Sequence, residues 1–173
     1  MGHHSTVSDY FAADGLLART LSGFAPRTSQ RLMAEAVADT ITGAGQLMVE
    51  AGTGTGKTFA YLVPALASGK RVIISTGSKA LQEQLYNRDL PTLLAAMDYN
   101  HPVALLKGRA NYLCLHRLDQ LLATSHLQEA EVLADLVRVK TYSINATSGD
   151  VAEIPELLEQ APILPYVTST NDN

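Results

Sequence analysis

The run Glu50-Ala51-Gly52-Thr53-Gly54-Thr55-Gly56-Lys57-Thr58 has the residue types needed to hold phosphate. Glycines let the backbone come close to an anion and turn its N–H groups toward it. A lysine at this spacing reaches the β- and γ-phosphates of a nucleotide, and the hydroxyl beside it takes Mg²⁺. Lys57 and Thr58 are the candidates for those two roles, and Ala51, Gly52, Thr53, Gly54, Thr55 and Gly56 form the cradle. The strict pattern opens on glycine; here the small residue Ala51 takes that place.

A strand before such a loop and a helix after it are the context that makes the pattern a phosphate site. The apolar stretch Gln46-Leu47-Met48-Val49 predicts a buried strand over 46–51, and a helix follows from Lys57 to about Ala67, shortened or kinked at Pro64. The positive end of that helix would face the phosphates. Arg71-Val72-Ile73-Ile74-Ser75-Thr76 is apolar on consecutive positions, as a strand covered on both faces should be, and 101–106 is a third candidate. Between these lie helical patterns: 14–21, a helix capped by Thr28 or Ser29 and ended by Gly43 and Gly45, one after Ser78 carrying Leu81 and Leu85, and one opened by Pro91. Further on come 112–122, 126–141 with Val132, Leu133, Leu136 and Val137 on one face, and a short helix over 153–160. Strands alternating with helices predict an α/β domain on a mostly parallel sheet.

With 173 residues and 46% apolar composition, the chain can build a real core. A net charge of −4 gives no global basic footprint, so any nucleic-acid contact must be local. No apolar run reaches transmembrane length, which predicts no membrane partner. The single cysteine, Cys114, excludes an internal disulfide and predicts a reducing, cytoplasmic setting. His101, His116 and His126 lack metal-ligand spacing, and Asp98 falls at the end of a helical pattern, on the surface.

Three further runs narrow the reading. Gln30 stands at the start of a helix ahead of the loop, in Phe24-Ala25-Pro26-Arg27-Thr28-Ser29-Gln30-Arg31-Leu32-Met33. A primary amide donates and accepts at once, which suits the edge of adenine. Ser75-Thr76-Gly77-Ser78 joins a strand end to a helix start, where hydroxyls and N–H groups suit sequence-independent phosphate contacts. Lys107-Gly108-Arg109-Ala110-Asn111-Tyr112-Leu113-Cys114 closes a strand with two cations and a cysteine, and Arg117 adds a third cation. Together these runs resemble the superfamily 2 DNA helicases, and the last resembles the entry to the iron–sulfur domain of the XPD/DinG type, in its bacterial DinG-like branch. The resemblance covers residues from about 9 to 173 and is patchy over 119–160.

The resemblance implies a three-layer RecA-like P-loop NTPase domain, truncated, followed by part of a helical iron–sulfur segment. The expected layout is an N-terminal extension over 1–25, the first part of motor domain 1 over 26–110, and the start of the cluster domain over 111–173. It implies ATP and Mg²⁺ as cofactors, with Gln30 at the adenine. It implies single-stranded DNA as partner, held by Ser75, Thr76, Gly77, Ser78, Lys107 and Arg109. Cys114 would be one ligand of a [4Fe–4S] cluster in the full-length protein. The activity implied is ATP hydrolysis coupled to 5′-to-3′ unwinding. One cysteine cannot build a four-thiolate cluster, and no Asp-Glu-Ala-His run or second motor domain is present. The expectation is therefore an inactive N-terminal part of a longer helicase, free to self-associate through an exposed sheet edge. Two alternatives stay open, a small P-loop NTPase or kinase and a non-catalytic nucleic-acid-binding module.

Overall fold

The structure, a computed structural model, describes residues 6–124 and 130–169. The chain forms two compact units, Met1–Val103 and Ala104–Asn173.

In the first unit the core is built by helices. α1 (Val7–Tyr10) and α2 (Leu16–Thr20) precede α3 (Thr28–Gly43). α1 is tied to α3 because the Ser8 hydroxyl donates to Glu35, whose carboxylate also takes Arg31 at 2.5 Å. The Ser8 hydrogen bond, followed by Arg31, holds the Glu35 carboxyl below its ordinary range. The cap of α3 lies one residue before the first expected one. Arg27 is the N-cap without a side-chain bond, and Ala44, not glycine, ends the helix in the left-handed region at φ 51°. α4 (Lys57–Ala67) buries Ala60 and the four successive residues Leu62, Val63, Pro64 and Ala65, as a helix covered on several sides must. Pro64 is accommodated inside it. α5 (Lys79–Gln84) passes through a π-helical turn, Leu85–Asp89, into α6 (Leu90–Ala96). Phe11, Leu17, Ala34, Leu62, Val63, Leu85 and Leu93 form the shared core.

The sheet is the main departure from expectation. The stretches 46–51, 71–76 and 101–106 do not pair as strands, and among the described residues the β-pairings are two isolated bridges in the second unit. In 46–51 and 71–76 apolar side chains face outward, Met48 97% exposed and Ile73 92%, while Val103 of the third run packs against the helical core. A strand of a parallel sheet is completed by pairing with neighbouring strands and by cover on both faces. These runs have the composition for that place without the partners.

In the second unit, α7 (Leu115–Ala123), α8 (Ala130–Asn145) and α9 (Leu164–Val167) pack around Leu118, Leu121, Val139, Ile163 and Val167. The expected start of a helix at residue 126 lies outside the described residues. Val132 and Leu136 of α8 are buried as expected, but the third buried position is Val139, and Val137 is 67% exposed. The expected helix over 153–160 is absent: a 3₁₀ turn at Val151–Glu153 and further turns take its place. Tyr112–Cys114 is the unit's extended centre. Leu113 N–H donates to the Gly149 carbonyl at 2.8 Å and Cys114 N–H to the Val167 carbonyl at 2.8 Å. Ser169 N–H closes the other side on the Tyr112 carbonyl at 3.0 Å.

Candidate nucleotide site

The phosphate-type loop is positioned by α3 and α4. Gly54 and Gly56 have φ of 71° and 82°, a region side chains penalise. Gly56 is also the N-cap of α4, so the chain enters the helix through a left-handed residue. The first turn of α4 has no acidic residue and no side-chain cap, which leaves its amides available to an anion.

Gln30 lies on the first turn of α3 and is 6% exposed. Its Nε2 donates to the Gly56 carbonyl at 2.9 Å, joining the two helix starts. A Cβ on Gly56 would collide with that amide. Lys57 folds back on its own loop, its Nζ donating to the carbonyls of Ala51 at 2.7 Å and Gly52 at 2.5 Å. Thr55 Oγ1 donates to the Gly52 carbonyl at 2.9 Å, and Arg27 donates to the Gly54 carbonyl. Thr58 lies beside Tyr61, whose phenol is raised above its ordinary pKa, mainly by burial; the bond with Thr58 pulls it down and the Asp89 charge pushes it up.

A cleft of about 410 Å³ runs along this loop. It is lined by Gln30, Gly54, Thr55, Gly56, Lys57 and Thr58, and also by Gln84 at the end of α5 and by Arg88 and Asp89 of the π turn. The lining holds three cations, Arg27, Lys57 and Arg88, against one carboxylate, Asp89. A chain with net charge −4 thus has a positive cleft. Its size, cations and open helix end fit a nucleoside polyphosphate.

The other predicted residues lie apart from the loop. Ser78 caps α5, its Oγ accepting from Leu81 N–H at 3.3 Å; Ser75, Gly77 and Ser78 are exposed and Thr76 is half-buried. In the second unit Lys107 pairs with Asp150 at 2.7 Å, the two side chains 11% and 12% exposed. Arg109 opens an exposed 3₁₀ turn, and Arg117 donates to the Pro165 and Tyr166 carbonyls. Cys114 is half-buried and forms no disulfide. No group of three or more potential metal ligands occurs among the described residues. The chain's one thiol does not fit a four-thiolate cluster. Among the described residues, no helix is long and apolar enough to cross a membrane.

Sequence reasoning missed Arg27, Arg88 and Asp89. Arg27 carried a faint signal, three residues before Gln30. Arg88 and Asp89 carried none, since their approach depends on how α3, α4 and the π turn pack.

Comparison with known proteins gives consistent matches. Residues 30–128 match the DEAD/DEAH box helicase family. The chain is 49% identical over 173 residues to the ATP-dependent DNA helicase YoaA of Haemophilus influenzae, covering all of this chain and 27% of that protein. It is 52% identical over 167 residues to YoaA of Escherichia coli K12, covering 96% of this chain and 26% of that one. It is 45% identical over 124 residues to the ATP-dependent helicase DinG of Mycobacterium tuberculosis H37Rv, covering 65% of this chain and 19% of that protein. The chain spans about a quarter of the length of the two YoaA relatives.

Proposed function

We infer the function from one premise, that the chain belongs to the DEAD/DEAH box helicase family: it is the N-terminal part of an ATP-dependent DNA helicase and supplies half of its nucleotide site. The observation that carries this is the single cleft lined by Gln30, Lys57 and Thr58. In the proposed complex Gln30 reads the adenine edge through its amide. Lys57 exchanges its bonds to the Ala51 and Gly52 carbonyls for bonds to phosphate oxygens. Thr58 Oγ takes Mg²⁺, and the α4 amides meet the remaining charge. Bound Mg²⁺ would neutralise developing charge during phosphoryl transfer. Among the described residues no acid stands at a strand end to orient water, so by itself the chain binds nucleotide without unwinding DNA.

In the full-length protein the runs 46–51, 71–76 and 101–106 enter a mostly parallel RecA-like sheet. The motor part spans 26–110, and the cluster domain begins at 111. Ser75, Thr76, Gly77 and Ser78, with Lys107 and Arg109, contact the phosphates of single-stranded DNA. Cys114 becomes one ligand of a [4Fe–4S] cluster whose other thiolates come from outside this chain, in a reducing, cytoplasmic setting. The isolated chain self-associates through its uncovered apolar runs.

The test is DNA-dependent ATP turnover and strand separation by the full-length protein, beside the same protein with Lys57→Ala. Loss of both activities in the variant supports the reading. Retention of either at wild-type rate removes Lys57 from its assigned role.

A further inference from the structure

Arg88 and Asp89 have no place in the loop motif, yet both line the same cleft as Lys57 and Thr58. Asp89 is 8% exposed, and both its oxygens are engaged. Oδ2 accepts from Gln84 Nε2 at 3.1 Å, and Oδ1 accepts from Arg88 Nε at 3.0 Å. A buried carboxylate persists only where such bonds offset its lost hydration. Here the carboxylate grips Arg88 by its inner nitrogen. The guanidinium end stays in water, the side chain being 70% exposed. Its two terminal nitrogens reach no other acceptor among the described residues. Arg27 and Lys57, by contrast, both donate to loop carbonyls. Arg88 is thus the cleft cation whose outer donors meet no acceptor among the described residues. It sits on a π turn, a widened form of helix found frequently at functional sites.

We propose that Arg88 is a further phosphate-binding residue of this cleft, directed at the distal phosphates of a nucleoside triphosphate, and that Asp89 is the positioning residue that holds it there. The proposal rests on the nucleotide-site reading above. A guanidinium offers a planar fork that matches phosphate oxygens, and fixing Nε on a carboxylate leaves the outer edge of the fork for the ligand. Simple electrostatics predicts the opposite sign for Asp89: removing an anion from a phosphate site should tighten binding. The two accounts therefore separate on one variant.

The chain is titrated in the presence of Mg²⁺ with the mono-, di- and triphosphates of one fluorescent adenosine analogue. The wild type is compared with Lys57→Ala, Arg88→Ala, Arg88→Lys, Asp89→Asn and the Arg88→Ala/Asp89→Asn double variant, each checked by thermal melting followed by circular dichroism. Arg88→Ala weakens the triphosphate about tenfold, the size of one charge-assisted contact, and leaves the monophosphate unchanged. Arg88→Lys falls between. Asp89→Asn also weakens the triphosphate, and the double variant is no weaker than Arg88→Ala, because Asp89 acts through Arg88. The proposal is overturned by wild-type triphosphate affinity in Arg88→Ala, by an equal loss for all three nucleotides, or by tighter binding in Asp89→Asn. Should Asp89→Asn fail to fold, the two Arg88 variants decide alone. Loss in Lys57→Ala without loss in Arg88→Ala sinks this proposal and spares the nucleotide site. A wild-type chain that binds no nucleotide overturns both.

Discussion

Gly56 serves the backbone and the site together. Its φ of 82° costs a side-chain-bearing residue about 1–2 kcal/mol. A methyl there also strikes the Gln30 amide. Gly56→Ala should destabilise the chain by at least about 1 kcal/mol in urea unfolding and break the bond that joins α3 to the loop. Alanine tolerated without loss would mean that the loop lacks this conformation in solution. Tyr61 gives a pH signature. Its phenol is raised above its ordinary value of 10.0, mainly by burial. A raised folded pKa contributes stability that is complete below pH 10 and lost as pH climbs through the folded value. Urea midpoints should therefore fall above about pH 10, and fall less steeply in Tyr61→Phe. The loop and Gln30 were legible in the sequence because each has a fixed spacing with a local physical meaning. Arg88 and Asp89 were not, because residues 27–30, 54–58 and 84–89 meet only through packing.

At the scale of elements, most helices were readable, and the expected strands are not formed in this chain. α4 was bounded correctly because loop glycine, lysine and apolar run agree over Lys57–Ala67. A helix satisfies its own backbone, so local pattern suffices. The run 71–76 carries the composition of a buried strand, but a strand is completed only by its neighbours, and Ile73 stands 92% exposed. The 153–160 expectation failed for a related reason: the backbone there closes in turns, beginning with the Asp150 side chain accepting from Ala152 N–H at 3.0 Å. Asp150 also pairs with Lys107 and bridges to Tyr112. Breaking a buried pair by removing one partner costs about 3 kcal/mol or more. Asp150→Ala should accordingly speed hydrogen exchange at the Leu113 and Cys114 amides by about a hundredfold. Unchanged protection would show that the pair does not hold this segment.

The whole molecule pairs a formed cleft with uncovered apolar runs. Leu47, Met48, Val49, Val72, Ile73 and Ile74 are exposed within one unit. Exposed apolar surface of that kind predicts binding of a hydrophobic dye and concentration-dependent association in sedimentation velocity. Introducing a charge at Ile73 (Ile73→Asp) should reduce both, and a concentration-independent monomer would contradict the self-association reading. The family was legible in the sequence because four separate runs fell in one order. The missing sheet was not, since local composition does not report which partner strands are present. The central claim, a nucleotide half-site in this chain, is tested most directly by calorimetric titration with Mg·ATP and Mg·GTP. One saturable site that prefers ATP, lost in Lys57→Ala and stripped of its base preference in Gln30→Ala, is the predicted result. No heat of binding, or equal binding by wild type and Lys57→Ala, would contradict it.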